Sequence, residues 1–144
     1  MKRIKLLTIA ALSLCLFAFT SCEKGFFPTS VDDLVGTKWV GYTTVNNHKQ
    51  CIVWTFTSTT EVEYENHSEL DKDATQDSPL SFKVAGTYIY NTLKDTFTAD
   101  FTDNCGYTSL LGLPYHTEGH FLINSMTVKW DGLDQTLLFI KVKE

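Results

Sequence analysis

HFLINSMTVKW, residues 120–130, decides how many strands this chain has. Phe121 and Ile123 share one parity, while Met126, Val128 and Trp130 share the other, so the apolar alternation flips near Asn124–Ser125. Successive side chains of a strand point to opposite faces, and one extra residue in a strand, a β-bulge, moves all later side chains across. Read as one bulged strand, the stretch brings the count along the chain to eight.

The other seven runs are rich in Thr, Val, Tyr, Phe and Trp, the residues that favour strands. They lie near 37–45, 50–57, 60–66, 80–90, 94–102, 106–111 and 136–143. Period-two patterns recur: CIVWTFT (51–57) groups Ile52, Trp54 and Phe56, and FKVAGTYIY (82–90) groups Phe82, Val84, Gly86, Tyr88 and Tyr90. TFTADFT (96–102) groups Phe97, Ala99 and Phe101. Turn-rich stretches such as NNHK (46–49), NTLK (91–94), GLPYHTEG (112–119) and DGLDQ (131–135) separate the runs, the spacing of an all-β domain. With an even number of up-and-down strands the last runs antiparallel to the first and pairs with it, which removes the open edges. The expected fold is therefore all-β, an eight-stranded antiparallel up-and-down barrel. An eight-stranded sandwich with parity breaks at its corners is the alternative.

The N-terminus reads as an address. Lys2, Arg3 and Lys5 precede an apolar run, Leu6 to Phe19, and then Thr20, Ser21 and Cys22. A charged start, roughly 7–15 apolar residues and small residues make a secretory signal peptide, and the run falls short of the ~20 residues a spanning helix needs. An ordinary signal peptide cut nearby would leave Cys22 as a free thiol. The small residues run straight into Cys22, however, and this resembles the lipobox of bacterial lipoproteins, in which the cysteine becomes the first residue and carries the lipid. The resemblance implies acyl chains of the palmitate class on Cys22. One chain holds a membrane only reversibly, and two or three hold it firmly. The expected organisation is a lipoprotein signal peptide at 1–21, a lipidated N-terminus and tether at 22–35, and a barrel domain at 36–144. The membrane, through this anchor, is the first partner. The place is the bacterial cell envelope, facing the periplasm or the cell surface; CEKG (22–25) has no run of acids after the cysteine and leans towards the periplasm.

Loss of residues 1–21 leaves nine basic against seventeen acidic residues, and Arg3 is the only arginine of the chain. A basic stripe for nucleic acid is absent, and so is the planar fork best suited to clamping phosphates and carboxylates.

LVGTKWVGY (34–42), GTYIY (86–90) and the closing LLFIKVKE (137–144), together with the lipobox, resemble lipocalin-like bacterial lipoproteins, small calycin-type barrels. In that group a glycine precedes a tryptophan on the first strand, and the indole plugs the closed end. Gly36 and Trp39 lie three apart, one residue more than the usual Gly-x-Trp. The late arginine that stacks over the tryptophan is missing, and Lys129, Lys141 or Lys143 would take its place. The resemblance implies binding of a small apolar or amphipathic ligand inside the barrel. The inward aromatics Trp39, Trp54, Phe56, Tyr88, Phe97, Phe101, Trp130 and Phe139 would line that cavity. An eight-stranded barrel is just wide enough to fill with side chains or to hold one small ligand, and large aromatics tip the balance towards filling. A filled barrel implies instead a protein- or glycan-interaction module, presenting loops 66–79 and 112–119 with Tyr64, Tyr107 and Tyr115 on its surface.

Chemistry is sparse. His116, Glu118 and His120 carry the residue types of a zinc site, but Pro114 and Gly119 argue for a solvated loop without the helix that aligns an i,i+4 pair. DKDATQD (71–77) places Asp71, Asp73, Thr75 and Asp77 at alternate positions, but Gln76 and Phe82 stand where a calcium loop needs Gly and Glu. It reads as an acidic, mobile hairpin loop. His48 is near Cys51 in sequence, and no Gly-x-Ser-x-Gly is present. The expectation is a protein without catalysis, metal or cofactor. Cys51 and Cys105 fall at the same rim of an up-and-down barrel on strands three apart, so a disulfide between them requires rim loops to fold inward. Such a bond would hold a loop across the barrel mouth.

Overall fold

A computed structural model describes residues 24–101, 116–130 and 135–143. Eight strands run in chain order: β1 (Lys38–Val45), β2 (His48–Phe56), β3 (Glu61–His67), β4 (Leu80–Asn91), β5 (Thr96–Asp100), β6 (His116–Leu122), β7 (Ser125–Trp130) and β8 (Thr136–Lys141). They form a closed barrel in which each strand pairs antiparallel with the next, and β8 pairs with β1. The all-β, eight-stranded up-and-down barrel expected from the sequence is what the chain forms, and it is consistent with a calycin-like fold.

Alternation sets which side chains enter the barrel. Trp39, Trp54, Phe56, Tyr64, Tyr88, Phe97, Phe101, Phe121, Met126 and Phe139 belong to one buried cluster. Polar or charged neighbours such as Glu63, Lys83 and Thr98 stand at the intervening positions. The β1–β2 hairpin pairs Val45 with His48 around Asn46 and Asn47, both at positive φ. Two left-handed residues match the twist of the flanking strands, and asparagine tolerates that region well.

The stretch 120–130 is two strands rather than one bulged strand. β6 and β7 pair Leu122 with Ser125 and Phe121 with Met126, leaving a two-residue connection at Ile123–Asn124. Asn124 adopts φ 57° there. A two-residue hairpin puts paired residues on the same face, so an odd-numbered run facing inward continues as an even-numbered one. That flip is indistinguishable in parity from a bulge. β6 also begins earlier than expected, at His116. The run 106–111, counted as a strand from the sequence, lies outside the described residues, and β5 pairs directly with 116–120.

The strand directions place the connections. The turns after β2, β4 and β6, the start of β1 and the end of β8 share one end, the base. The turn after β1 and segment 68–79 share the other, the rim. At the base, a single turn of 3-10 helix, Asp32–Leu34, seats a fully buried Leu34 under the barrel. Gly36, at φ +83°, donates its N–H to the Phe56 carbonyl at 2.7 Å. Few residues other than glycine adopt that φ cheaply, so Gly36 is what turns the chain from the base into β1.

Candidate functional site

Trp39 closes the base. Its Nε1 donates to Thr37 Oγ1 at 2.9 Å, and that hydroxyl donates in turn to the Leu34 carbonyl at 2.7 Å. The extra residue between Gly36 and Trp39 is thus the one that supplies the indole's acceptor or sits beside it: Thr37 accepts, and Lys38 points outward. Phe26 meets Trp39 edge-on at 5.8 Å between centroids, and Lys141 Nζ lies 4.7 Å from the centre of the Phe26 ring. Of the three lysines considered for the missing arginine, Lys141 is the one that pairs with Trp39 across β1 and β8. Its ammonium sits over the face of the tether's Phe26 ring, a cation–π contact.

Above this floor the interior is filled with rings. Trp54 meets Tyr64, Phe97, Phe101 and Phe139 with centroids 5.5–6.2 Å apart, all edge-on, the arrangement that aromatic quadrupoles favour. Phe56 packs against Tyr88 at 4.8 Å and Phe97 at 5.5 Å. Three inward glycines make room for this. A Cβ on Gly41 would come within 3 Å of the Phe139 ring, one on Gly86 of the Phe101 ring, and one on Gly119 of the Phe97 ring. The bare backbone at each position is where a phenylalanine lies.

Seven of the eight aromatics expected to line a cavity, Trp39, Trp54, Phe56, Tyr88, Phe97, Phe101 and Phe139, are therefore in one place and pack on one another. Trp130 pairs with Thr117 across β6 and β7, and its side chain lies outside the described residues. Tyr64, expected at the surface, is 2% exposed and faces inward, because it shares the parity of Val62 on β3. Burial raises its hydroxyl's pKa, and a hydrogen bond with Asn66 opposes that shift. Tyr107 and Tyr115 lie outside the described residues.

Polar groups enter the interior at few points. Asn66 Nδ2 donates to Gln50 Oε1 at 3.0 Å near the rim. Tyr88 and Tyr90 turn their hydroxyls to the base, donating to the carbonyls of Ser58 and Pro28 at 2.9 and 2.8 Å. Burial, reinforced by the charge of Asp32, pushes Tyr88 up to about 12. Among the described residues, two buried polar side-chain atoms have no hydrogen-bond partner, Trp54 Nε1 and Thr117 Oγ1. An unmet buried donor costs on the order of 1–3 kcal/mol, so these two mark where a water or a ligand's polar atom would be received.

Segment 68–79 is not a free hairpin loop. Ala74 donates its N–H to the Lys49 carbonyl at 2.8 Å, and Asp73 Oδ1 accepts from the Lys49 N–H at 2.8 Å. Together they satisfy the end of β2 that β3 does not reach. Ala74 covers Val40, Cys51 and Val53 in a small cluster on the outer wall. Asp73, a candidate calcium ligand by spacing, is thus a backbone acceptor, and Thr75 Oγ1 accepts from the Asp77 N–H at 3.3 Å.

Cys51 is a free thiol, fully buried beneath Ala74 on the outer wall. Burial pushes its pKa up, and a hydrogen bond with Tyr42 partly opposes this. A thiol held neutral is a poor nucleophile. Cys105 and Cys22 lie outside the described residues. His116, Glu118 and His120 stand on β6 rather than in a loop. They share the outward face, alternating with the inward Thr117, Gly119 and Phe121. No group of three or more His, Cys, Asp or Glu side chains suited to a metal ion occurs among the described residues.

Sequence reading gave the tether no contacts, yet Phe26, Val31 and Leu34 pack against the barrel. Phe26 donates its N–H to Asn124 Oδ1 at 2.6 Å, and its carbonyl accepts from the Asn124 N–H at 2.8 Å. The adjacent pair Phe26–Phe27 was the available signal. No protein-family model matches the chain, and no curated protein or solved structure matches it.

Proposed function

We propose that this chain is a lipocalin-like lipoprotein of the bacterial cell envelope, anchored through Cys22, and that it works as a non-catalytic interaction module with a filled barrel. The observation that carries this reading is the packing of Phe139, Phe101 and Phe97 onto the inward glycines Gly41, Gly86 and Gly119. Among the described residues, phenylalanine rings take up the space beside these glycines, which supports recognition of a protein or glycan by the outer surface. The rim farthest from the tether suits that task. It carries Glu69, Asp71, Asp73 and Asp77 around an almost fully exposed Leu70, held in shape by the bonds of segment 68–79 to Lys49. An ordered loop loses little entropy on binding.

A small amphipathic ligand is the second reading, favoured by the unpaired Trp54 Nε1 and Thr117 Oγ1. Native mass spectrometry of the mature protein, set against its denatured mass, separates the two. A bare native mass supports the filled module. A stoichiometric, extractable molecule whose retention falls in Trp54→Phe supports the ligand carrier instead.

A further inference from the structure

The base of the barrel differs from the rim in charge and in what it exposes. Lys24, Lys38, Lys94, Lys141 and Lys143, five of the nine lysines that follow residue 21, belong to the base by topology. Asp32, Asp33, Glu61 and Asp95 are the acids described there, and Asp33 keeps its charge while accepting from Thr29 and Ser30. With Glu23 and Glu144, which adjoin Lys24 and Lys143 in sequence, the base is close to neutral on a mature chain with seventeen acids against nine bases. At this end two turns carry large apolar side chains into solvent: Leu93, 95% exposed, between β4 and β5, and Ile123, 68% exposed, between β6 and β7. Phe27 is exposed beside them.

The described chain begins here too. Lys24 follows Cys22 by two residues, which span at most about 7 Å even when extended. Phe26 is fastened to Asn124 by two hydrogen bonds, one residue from Ile123. A lipid on Cys22 therefore holds the turn containing Ile123 at the membrane surface.

We propose that the base docks on the anionic headgroup layer of the membrane that holds the anchor. Leu93 and Ile123 enter the interfacial region. This rests on the reading of Cys22 as lipidated. A lone acyl anchor would leave the barrel free to tumble on its tether. An apolar-tipped base close to neutral fixes its orientation, because an anionic surface repels the acidic rim more than the base, a difference that falls off within a Debye length. The acidic rim, repelled by the same surface, then points away from it.

The test is hydrogen exchange on the full mature protein, purified with its lipid, in detergent and in vesicles of equal parts phosphatidylcholine and phosphatidylglycerol. Amides in 92–95 and 122–125 are expected to slow about tenfold on the vesicles, while those in 68–79 stay unchanged. In Leu93→Ser/Ile123→Ser the slowing is expected to disappear, with the fold checked by unchanged exchange in β2 and β3. The mass of the N-terminal peptide is read from the same samples. An unmodified Cys22 overturns the anchored reading itself. A lipidated Cys22 with the base unprotected, or with base and rim equally protected, overturns the docking alone.

Discussion

Two tryptophans illustrate how much a single hydrogen bond decides. Both Trp39 and Trp54 are fully buried. The Trp39 indole has an acceptor in Thr37, whereas the Trp54 indole has none. Trp39→Phe gives up a net ~1 kcal/mol hydrogen bond as well as packing volume. Trp54→Phe loses comparable volume but also removes an unmet donor, so the two terms offset. Urea titration should show Trp39→Phe to be the more destabilising by about 1–2 kcal/mol; equal losses would mean that Trp54 Nε1 is bonded in solution. Gly119→Ala puts a methyl group into the Phe97 ring and is expected to cost about 1–3 kcal/mol. Adding Phe97→Leu should recover part of that loss, a coupling that a double-mutant cycle would measure. Tyr88 adds a pH dependence. Its pKa is raised from 10.0 to about 12, so its stabilising contribution is intact below pH 10.0 and is lost as pH rises through 12. Alkaline unfolding followed by tyrosinate absorbance should shift in Tyr88→Phe relative to the parent.

Among the elements, the strap from Lys24 to Leu34 most changes the picture drawn from sequence. Asn124 serves it twice, through a left-handed backbone that makes the β6–β7 turn and through a side chain that accepts from Phe26. Asn124→Gly keeps the turn and removes the acceptor. It is expected to cost about 1 kcal/mol and to speed exchange of the Phe26 amide, while β7 stays protected. Asp33 holds the same strap by accepting from the Thr29 and Ser30 amides and the Thr29 hydroxyl, and these bonds lower its pKa. Its contribution is therefore present above the ordinary carboxylate value of 3.8 and is lost as pH falls through the lower, folded value. An NMR titration should find the strap's amide shifts following Asp33 in acid, and Asp33→Asn should abolish that response. The strands themselves were legible because inward aromatics alternate with polar residues in 52–56, 82–90 and 97–101. The β6–β7 hairpin was not, because Leu122 and Ile123 continue the apolar run and neither Gly nor Pro breaks it. Asn124 alone carried the turn. Segment 68–79 was misread for a related reason: its acidic composition says solvent, but its shape is set by two bonds to the backbone of Lys49, which leave no trace in composition.

Taken whole, the molecule reached the expected eight strands by a different route: one run split into two, and another is outside the described residues. Closure depended only on the even count, so the topology survived both changes. The candidate site was equally half legible. Which rings face inward follows from parity, but whether they enclose space or fill it depends on what stands opposite. The inward glycines that receive three phenylalanines are too far apart in sequence to show that. The closing seam pairs only Trp39–Lys141, Val40–Ile140 and Gly41–Phe139, against eight pairs between β1 and β2. Tension applied through Cys22 would first meet the Phe26–Asn124 clasp, which hangs on the β6–β7 turn rather than on β1. A pull on the tether is thereby diverted from the shortest ladder of the ring, and the barrel's weakest joint is spared the load.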